Sequence, residues 1–406
     1  MSVASPPSHD ELNRIFAQAC EDYENGLLQA AGDAYRKLIG YCGDAPILHY
    51  NLGLVHFRKE EFAAARDSFA RAAELAPQDP DILFNLALSE KKCGHAAAAT
   101  AGFSRLLRDD PDNLDALYNL AGSYKDNRQH LEAKQTYRQV LRLAPEHLAA
   151  HNNLAYLHHL DGELDLALDC YRKVLQLNPR HQAAAHMVAA LTGEGSSGSP
   201  DAYIREVFDS YADRFEESLV ESLECRIPDF LRTLHDRTVD SAKRYARGLD
   251  LGCGTGLGGA AFADLVEVFD GLDLSEKMLE FAAEKGIYRS LYPGSIVEIL
   301  ASLDDTFDLF LAADVLNYVG DLEATLRLLK DRARPDAVFL FSTETAAGGG
   351  YRLQQTGRFA HSSEYVRQAA ETTGWRIVAV QSSQLRKEQD AWVEGELWLF
   401  RPAESP

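Results

Sequence analysis

The sequence is poor in several features that mark particular classes of protein. Its six cysteines are scattered over 406 residues and no two form a C-x-x-C pair, so a disulfide framework or zinc site is not expected. No apolar run approaches the roughly 18 residues of a membrane-spanning helix. The N-terminal MSVASPPSHDEL has neither the basic start nor the apolar core of a secretory signal. We therefore expect reduced thiols, no bound metal and a cytoplasmic location.

Positive charge is also scarce. The chain has 41 Lys and Arg against 62 Asp and Glu, a net charge of -21. Residues 1–200 carry -7 of it and the remainder -14, and neither half contains a basic run. Because phosphate groups are neutralised by clustered Lys and Arg, nucleic acids and anionic membranes are disfavoured partners. The hydrophobic content of 46% is enough for two separate cores.

A period of 34 residues organises the first half of the chain. Pro77, Pro111, Pro145 and Pro179 follow one another at this spacing, and proline ends a helix. Counted from starts at 46, 80, 114 and 148, the eighth and twentieth positions hold small residues and the twenty-fourth a Phe or Tyr. Small residues let two helices approach, and the aromatic ring fills the gap beside them. The pattern resembles the tetratricopeptide repeat, which predicts an all-helical solenoid.

The domain boundaries follow from this period and from composition. A degenerate repeat begins near residue 12, and HQAAAHMVAAL after Pro179 reads as a capping helix. We predict about five repeats and this cap over residues 10–192. The segment GEGSSGSP over 193–200 has the composition of a flexible linker, and a second domain follows over 201–406.

One column of the repeat suggests a binding groove. Its sixth position is asparagine in all four full repeats, at Asn51, Asn85, Asn119 and Asn153. In the tetratricopeptide fold this column faces the concave surface. A ladder of amides suits an extended peptide backbone, although the same side chains could instead bridge neighbouring helices.

Beyond residue 246, short apolar runs alternate with helical patterns. Strands such as FDLFLAAD and AVFLFSTE are continuous and apolar, as in buried parallel sheets. We predict an α/β doubly wound, Rossmann-like domain. The last two strands, WRIVAVQSS and GELWLFR, are linked by too short a loop for a helix, so we expect them to be antiparallel.

A glycine-rich loop follows the first of these strands, in the segment DLGCGTG that begins at Asp250. Glycines let a ligand approach the backbone closely at the start of a helix. Asp273 ends the next strand, where a carboxylate can accept hydrogen bonds from ribose hydroxyls. The dinucleotide pattern G-x-G-x-x-G would need glycine at 257, which is Leu257. The segment instead resembles a class I S-adenosylmethionine-dependent methyltransferase.

The whole chain resembles a bacterial family of predicted methyltransferases fused to tetratricopeptide repeats, on stretches such as LDLGCGTG, GLDLSEKML and AADVLNYVGDL. The resemblance implies S-adenosylmethionine as cofactor. Many relatives place Asp where this chain has Ser295, so contact with the adenine is expected to differ. The residues that would bind the cofactor are Asp250, Gly252, Cys253, Gly254, Gly256, Asp273, Leu274, Met278, Ser295, Asp314, Val315 and, from a lid helix, Tyr211.

Candidate catalytic and acceptor-binding residues lie after the later strands. Methyl transfer needs a general base only when the nucleophile arrives protonated. His361 is either such a base or a hydrogen-bonding residue at the start of a helix. Arg358 and Arg386 could clamp a carboxylate or pair with acidic neighbours, and GGGYRLQQTGRF is predicted to be a mobile lid. The catalytic candidates are His361, Tyr351, Glu344 and Arg386, and the acceptor-binding candidates are Arg358, Glu388 and the four asparagines.

Three functions are compatible with this sequence. The first is a methyltransferase whose repeat groove recruits a protein or peptide. The second is a small-molecule methyltransferase whose repeats mediate oligomerisation or docking. The third is a non-enzymatic adaptor with a vestigial fold, which the intact Asp250, glycine loop and Asp273 disfavour.

Overall fold

The computed structural model describes residues 7–212, 215, 216, 223–388 and 391–403. The chain divides into two compact units, Met1–Pro179 and Arg180–Pro406. The division falls directly after the last of the four periodic prolines.

The first unit is a run of helical hairpins, and in the described residues these number five. Consecutive helices pair within each 34-residue period and stack on the next pair. Their bounds are α1 His9–Glu24, α2 Leu28–Cys42, α3 Pro46–Arg58, α4 Phe62–Leu75, α5 Pro80–Lys92, α6 Ala96–Asp109, α7 Leu114–Asp126, α8 His130–Leu143, α9 Leu148–Leu160 and α10 Leu164–Leu177.

The repeat residues have the packing roles that the period predicts. The alanines of the twentieth position, from Ala65 to Ala167, are fully buried. Phe69 and Phe103, of the twenty-fourth position, are also fully buried. A side chain at Gly53 would meet the ring of Phe69 at 2.6 Å. The small residues therefore set the distance between the two helices of a pair.

Each hairpin turns at the fifteenth position of the repeat, where the backbone is left-handed. Gly94 and Gly162 have φ of 78° and 72° there. Glu60 and Arg128 occupy the same position with φ of 61° and 58°. Two of the repeats therefore hold a conformation that disfavours residues with a Cβ.

The second unit alternates helices with the strands of one sheet. Its helices are α11 Gln182–Thr192, α12 Asp201–Tyr211, α13 Ile227–Thr238, α14 Leu257–Phe262, α15 Glu276–Glu284, α16 Ile296–Ser302, α17 Leu322–Arg332 and α18 Ser363–Thr372. Its strands are β1 Tyr245–Leu251, β2 Val266–Asp273, β3 Tyr288–Pro293, β4 Phe307–Ala312, β5 Ala333–Thr345, β6 Tyr351–Leu353, β7 Phe359–His361, β8 Trp375–Glu388 and β9 Ala391–Pro402.

The sheet has the doubly wound order that the alternation predicts. Strands β3, β2, β1, β4 and β5 are parallel neighbours in that order. Strand β9 runs antiparallel to both β5 and β8. The predicted fold class and the antiparallel last pair are thus confirmed. The loops after β1, β2, β4 and β5 meet at the carboxyl end of the sheet, where open α/β folds bind ligands.

Three segments differ from the sequence interpretation. Helix α11 belongs to the second unit, where Nε2 of His186 lies 2.8 Å from the carbonyl oxygen of Gly357. In the supposed linker, the Ser197 carbonyl accepts hydrogen bonds from the backbone of Gly320 and Asp321. The supposed lid contains a hairpin, β6–β7, with β7 pairing with β5. Tertiary contacts therefore order the last two of these segments, which their composition suggested were loose.

Within the described ranges, no helix is long and apolar enough to cross a membrane. In the same part of the chain, no group of three or more His, Cys, Asp or Glu residues could hold a metal ion. All six cysteines are free.

Candidate functional site

The glycine loop connects β1 to α14 with three left-handed glycines. Gly252, Gly254 and Gly256 have φ of 59°, 53° and 92°, which favours glycine. A Cβ on Gly252 would lie 2.8 Å from Val315. The loop therefore needs glycine both for its backbone conformation and for its approach to the segment after β4.

Asp273 ends β2 and faces this loop. Its two carboxylate oxygens accept hydrogen bonds from the backbone of Gly254 and of Ser275, each at 2.9 Å. Burial raises the pKa of this carboxyl. The side chain is not fully enclosed, so it can still accept hydrogen bonds from a ligand hydroxyl beside the loop.

Asp250 lies beneath the glycine loop and is 1% exposed. It accepts a hydrogen bond of 2.7 Å from the Tyr288 hydroxyl. Burial raises the pKa of Asp250 to about 7. A side chain on Gly259 would collide with the Tyr288 hydroxyl at 2.3 Å. The carboxylate therefore supports the loop from within the core.

The remaining predicted cofactor residues are spread around the same edge. Leu274 is half-buried, and its carbonyl accepts a hydrogen bond from Arg205 of α12. Met278 and Cys253 are buried. Ser295 caps α16 by accepting a hydrogen bond from Glu298. Tyr211 is the last residue of α12, and its side chain lies outside the described residues.

A cluster of charged side chains lies at the carboxyl ends of β4, β5 and β8. Arg386 is 1% exposed and pairs with both Asp314 and Glu344. Burial alone would raise the pKa of Glu344, but the guanidinium groups of Arg386 and Arg358 hold it below its usual value. Three separate strands thus build one buried ionic network.

Polar residues complete this network. The Asn317 amide donates to Asp314 at 3.0 Å and to Glu344 at 3.4 Å. Gln354 donates to the other oxygen of Glu344 at 3.0 Å. Arg358 pairs with Glu388, and its Nε lies 3.7 Å from Glu344. Of the two interpretations of the arginines, the observed geometry is pairing with acidic neighbours, although the pairs are buried or half-buried.

His361 and Tyr351 lie beside the cluster. His361 is fully buried, and its Nε2 contacts the carbonyl oxygens of Val319 and Gly320 at 2.8 and 3.1 Å. Burial lowers the pKa of its imidazole. Tyr351 packs its ring against Tyr365, at 5.3 Å between centroids. These contacts give His361 a part in holding the loop after β4, and we assign it no proton transfer.

The asparagine ladder has its own internal hydrogen bonds. Asn85 donates to the Tyr50 hydroxyl of the preceding repeat at 3.3 Å, and Asn153 donates likewise to Tyr118 at 3.2 Å. Asn119 donates to a carbonyl one turn back in its own helix, and Asn51 is half-buried in α3. Bridging between repeats is therefore observed at two of the four positions.

The structure brings most of the predicted site together and adds residues that were missed. The glycine loop meets the charged cluster through the contact between Gly252 and Val315. Tyr288, Asn317 and Gln354 were not predicted. The sequence did contain one indication of the Tyr288 contact. Two adjacent glycines inside a helix, Gly258 and Gly259, indicate that another side chain packs closely against α14. The four asparagines lie in the other unit.

A glycine loop beside a carboxylate at the end of the next strand is an arrangement that can bind a ribose-containing cofactor. The loop offers backbone groups at the carboxyl end of the sheet, and Asp273, a residue of intermediate exposure, offers a carboxylate. Comparison with known proteins agrees with this. Residues 249–339 match the family model of a methyltransferase domain. Residues 16–80, 114–147 and 149–181 match tetratricopeptide-repeat models.

Curated relatives match parts of the chain. A malonyl-[acyl-carrier protein] O-methyltransferase of Erwinia pyrifoliae is 36% identical over 99 residues, 24% of this chain and 37% of that protein. A ubiquinone biosynthesis O-methyltransferase of Haemophilus ducreyi is 27% identical over 144 residues, 31% of this chain and 61% of that protein. An uncharacterized protein of Methanocaldococcus jannaschii is 29% identical over 131 residues, 30% of this chain and 56% of that protein. The chain thus spans between 37% and 61% of these relatives.

Solved structures resemble each half. YrrB, described as a TPR protein with an unusual peptide-binding site, is 20% identical with a TM-score of 0.40, covering 42% of this chain and 89% of its own. The N-methyltransferase NodS from Bradyrhizobium japonicum, in complex with S-adenosyl-L-homocysteine, is 17% identical with a TM-score of 0.41. The match covers 50% of this chain and 99% of NodS.

The chain therefore joins a tetratricopeptide-repeat array to a methyltransferase domain. The resemblance inferred from the sequence, to a methyltransferase domain and to tetratricopeptide repeats, is confirmed by these matches.

Proposed function

We propose that this protein is an S-adenosylmethionine-dependent methyltransferase whose repeat array recruits a protein or peptide acceptor. The observation that carries the proposal is the meeting of the glycine loop, Asp273 and a buried charged cluster at one edge of the sheet.

The residues have distinct parts in this proposal. Gly252, Gly254 and Gly256 would lie against the methionine moiety and the sugar, Asp273 would accept hydrogen bonds from the ribose, and Asp250 would hold the loop in place through Tyr288. S-adenosylmethionine supplies a methyl group on a sulfonium, whose departure leaves a neutral sulfur. The protein's main task is to align an acceptor beside that methyl group.

Calorimetric titration of the intact chain with S-adenosylmethionine tests the cofactor part of the proposal. Asp273→Ala should bind at least about ten-fold more weakly, because it loses charge-assisted hydrogen bonds. Asp304→Ala, a change at an exposed residue of the same domain, should bind as the wild type does. Circular dichroism shows whether both variants are folded. An absence of binding by the wild type would reject the proposed activity.

The groove retains groups that could contact a peptide. The side-chain oxygens of Asn85 and Asn119 receive no hydrogen bond from the described residues. The side-chain oxygen of Asn153 instead accepts a hydrogen bond from Lys125 at 3.2 Å. The amide oxygens of Asn85 and Asn119 thus support an extended peptide as the occupant of the groove.

Methyl-labelled cofactor can test recruitment in a cell lysate. The double variant Asn85→Ala with Asn119→Ala should transfer less label to protein than the wild type. The matched control pairs Gln135→Ala with Gln139→Ala, two exposed positions on α8, and should behave as the wild type. Equal labelling by all three proteins would contradict recruitment. Label confined to small molecules would favour the small-molecule alternative.

A further inference from the structure

The arginines beside the glycine loop are already neutralised by carboxylates of this chain. Arg386 lies between Asp314 and Glu344, and Arg358 lies between Glu388 and Glu344. Either arginine would have to leave a half-buried or buried partner to clamp an anionic acceptor. Such an exchange leaves one carboxylate buried and unpaired, which is strongly unfavourable.

The charges of the cluster do not balance. Asp314, Glu344 and Glu388 carry three carboxylates, whereas Arg358 and Arg386 supply two guanidinium groups. No other lysine or arginine among the described residues pairs with these three carboxylates. His361 does not add a charge, because burial lowers the pKa of its imidazole. Among the side chains that the structure describes, the cluster therefore has an excess of one negative charge.

The open position of this network is on Asp314. Its Oδ1 receives both Arg386 and Asn317, whereas its Oδ2 has no hydrogen bond from a residue that the structure describes. The side chain is 20% exposed, against 3% for Glu344. Asp314 is also held in a left-handed conformation, with φ of 60°, and its backbone nitrogen donates to the Ser342 hydroxyl at 3.0 Å.

Asp314 stands next to the glycine loop. It directly precedes Val315, whose methyl groups would collide with a side chain at Gly252. Asp314 thus lies in the chain between the charged cluster, which its side chain joins, and Val315, which packs against the cofactor loop. A strained backbone conformation at such a position is typical of functional residues.

We propose that the methyl acceptor is an amine whose ammonium group binds Oδ2 of Asp314, an inference that rests on the proposed methyltransferase function. An ammonium supplies the missing positive charge and the missing donor together. A carboxylate supplies neither, and a neutral hydroxyl supplies only the donor. Asp314 therefore contacts the acceptor, whereas the resemblance alone implied that it contacts the cofactor.

The transfer balances with this single carboxylate. The ammonium gives one proton to Asp314, and the nitrogen lone pair then forms a bond to the methyl carbon of S-adenosylmethionine. The carbon–sulfur bond breaks with its electron pair staying on sulfur. The product is a methylated ammonium and a neutral thioether, and the proton on Asp314 passes to solvent. Burial raises the pKa of Asp314, which suits a proton acceptor.

Binding of small probes to the intact chain tests the inference without knowledge of the natural acceptor. The protein is saturated with S-adenosyl-L-homocysteine, and n-butylamine, n-butanol and butyrate are titrated separately at constant ionic strength, with saturation-transfer NMR as the readout. Butylamine should bind about ten-fold more tightly than the alcohol, as a charged hydrogen bond implies, and butyrate should bind least. Equal binding of the three, or tighter binding of butyrate, would overturn the inference.

Two variants assign any amine preference to this site. Asp314→Asn should abolish the preference, whereas Asp304→Asn removes the same charge from an exposed position and should retain it. A preference that survives in Asp314→Asn would come from the overall acidity of the protein and would overturn the inference. If Asp314→Asn does not fold, Asp314→Ser, which also removes the carboxylate, takes its place with the same expected loss of preference. A separate calorimetric titration with S-adenosyl-L-homocysteine tests the proposed function. If the wild type does not bind it, the proposed function fails, whereas binding without an amine preference overturns only the inference.

Discussion

At the scale of single residues, Asp250 illustrates how a functional loop is held from within the core. Its carboxylate is nearly inaccessible, and its pKa is raised by burial to about 7 from an ordinary value of 3.8. An acid with a raised pKa stabilises the folded state most when it is protonated. This contribution is complete below about pH 4 and is lost as the pH rises to about 7.

Asp250→Asn removes this titration while preserving the shape of the side chain. Between pH 5 and pH 8 the wild type should lose about 3 kcal/mol of stability relative to the variant, since one unit of pKa corresponds to about 1.4 kcal/mol. Denaturant unfolding of the intact chain, followed through the transition of the C-terminal unit, measures this difference. Parallel pH profiles for the two proteins would show that Asp250 does not titrate in this range.

The location of the candidate residues could be predicted better than their contacts. Glu344 and Arg386 could be picked out because charged residues after buried strands gather at one sheet edge. Their pairing could not be predicted, because it depends on the order in which β4, β5 and β8 are laid side by side. Tyr288 was missed for the same reason, since its hydrogen bond to Asp250 spans 38 residues.

At the scale of helices and hairpins, the repeat array carries two residues that strain its turns. Arg128 is exposed and left-handed at the position where Gly94 and Gly162 stand in neighbouring repeats. Arg128→Gly should raise the stability of the array by about 0.5–1 kcal/mol, because relief of the left-handed penalty exceeds the entropy that glycine adds to the unfolded chain. The reciprocal control, Gly94→Ala, should lower it by about 1 kcal/mol. Urea denaturation followed by circular dichroism measures both changes, and a destabilising Arg128→Gly would contradict this account.

Periodic elements could be predicted from the sequence, and non-periodic ones could not. The 34-residue period repeats its small and aromatic positions, so packing between neighbours is determined locally. Helix α11 follows the same period in composition, yet its His186 contacts Gly357, 171 residues away. The hairpin β6–β7 likewise forms where its glycines suggested a mobile loop, because β7 finds a partner in β5. Contacts at such sequence separations leave no local pattern.

At the scale of the whole molecule, the negative charge and the proposed acceptor are consistent. The residues after 200 carry -14 of the total charge of -21. A field of that sign concentrates cationic molecules near the protein and repels anionic ones. The excess carboxylate at Asp314 would act on the same class of acceptor at short range, where the salt of the solution screens the interaction less.

The two compact units also predict how the intact protein unfolds. Each has its own buried core, so calorimetric heating should resolve two transitions. S-adenosylmethionine at about 100 times its dissociation constant should stabilise the C-terminal unit alone by about 2.7 kcal/mol. That corresponds to a rise of about 5–10 °C in one transition temperature. Arg128→Gly should shift only the other transition. A single transition that responds to both changes would show instead that the array and the methyltransferase domain unfold together. The cofactor would then stabilise the repeat array as well as the domain that binds it.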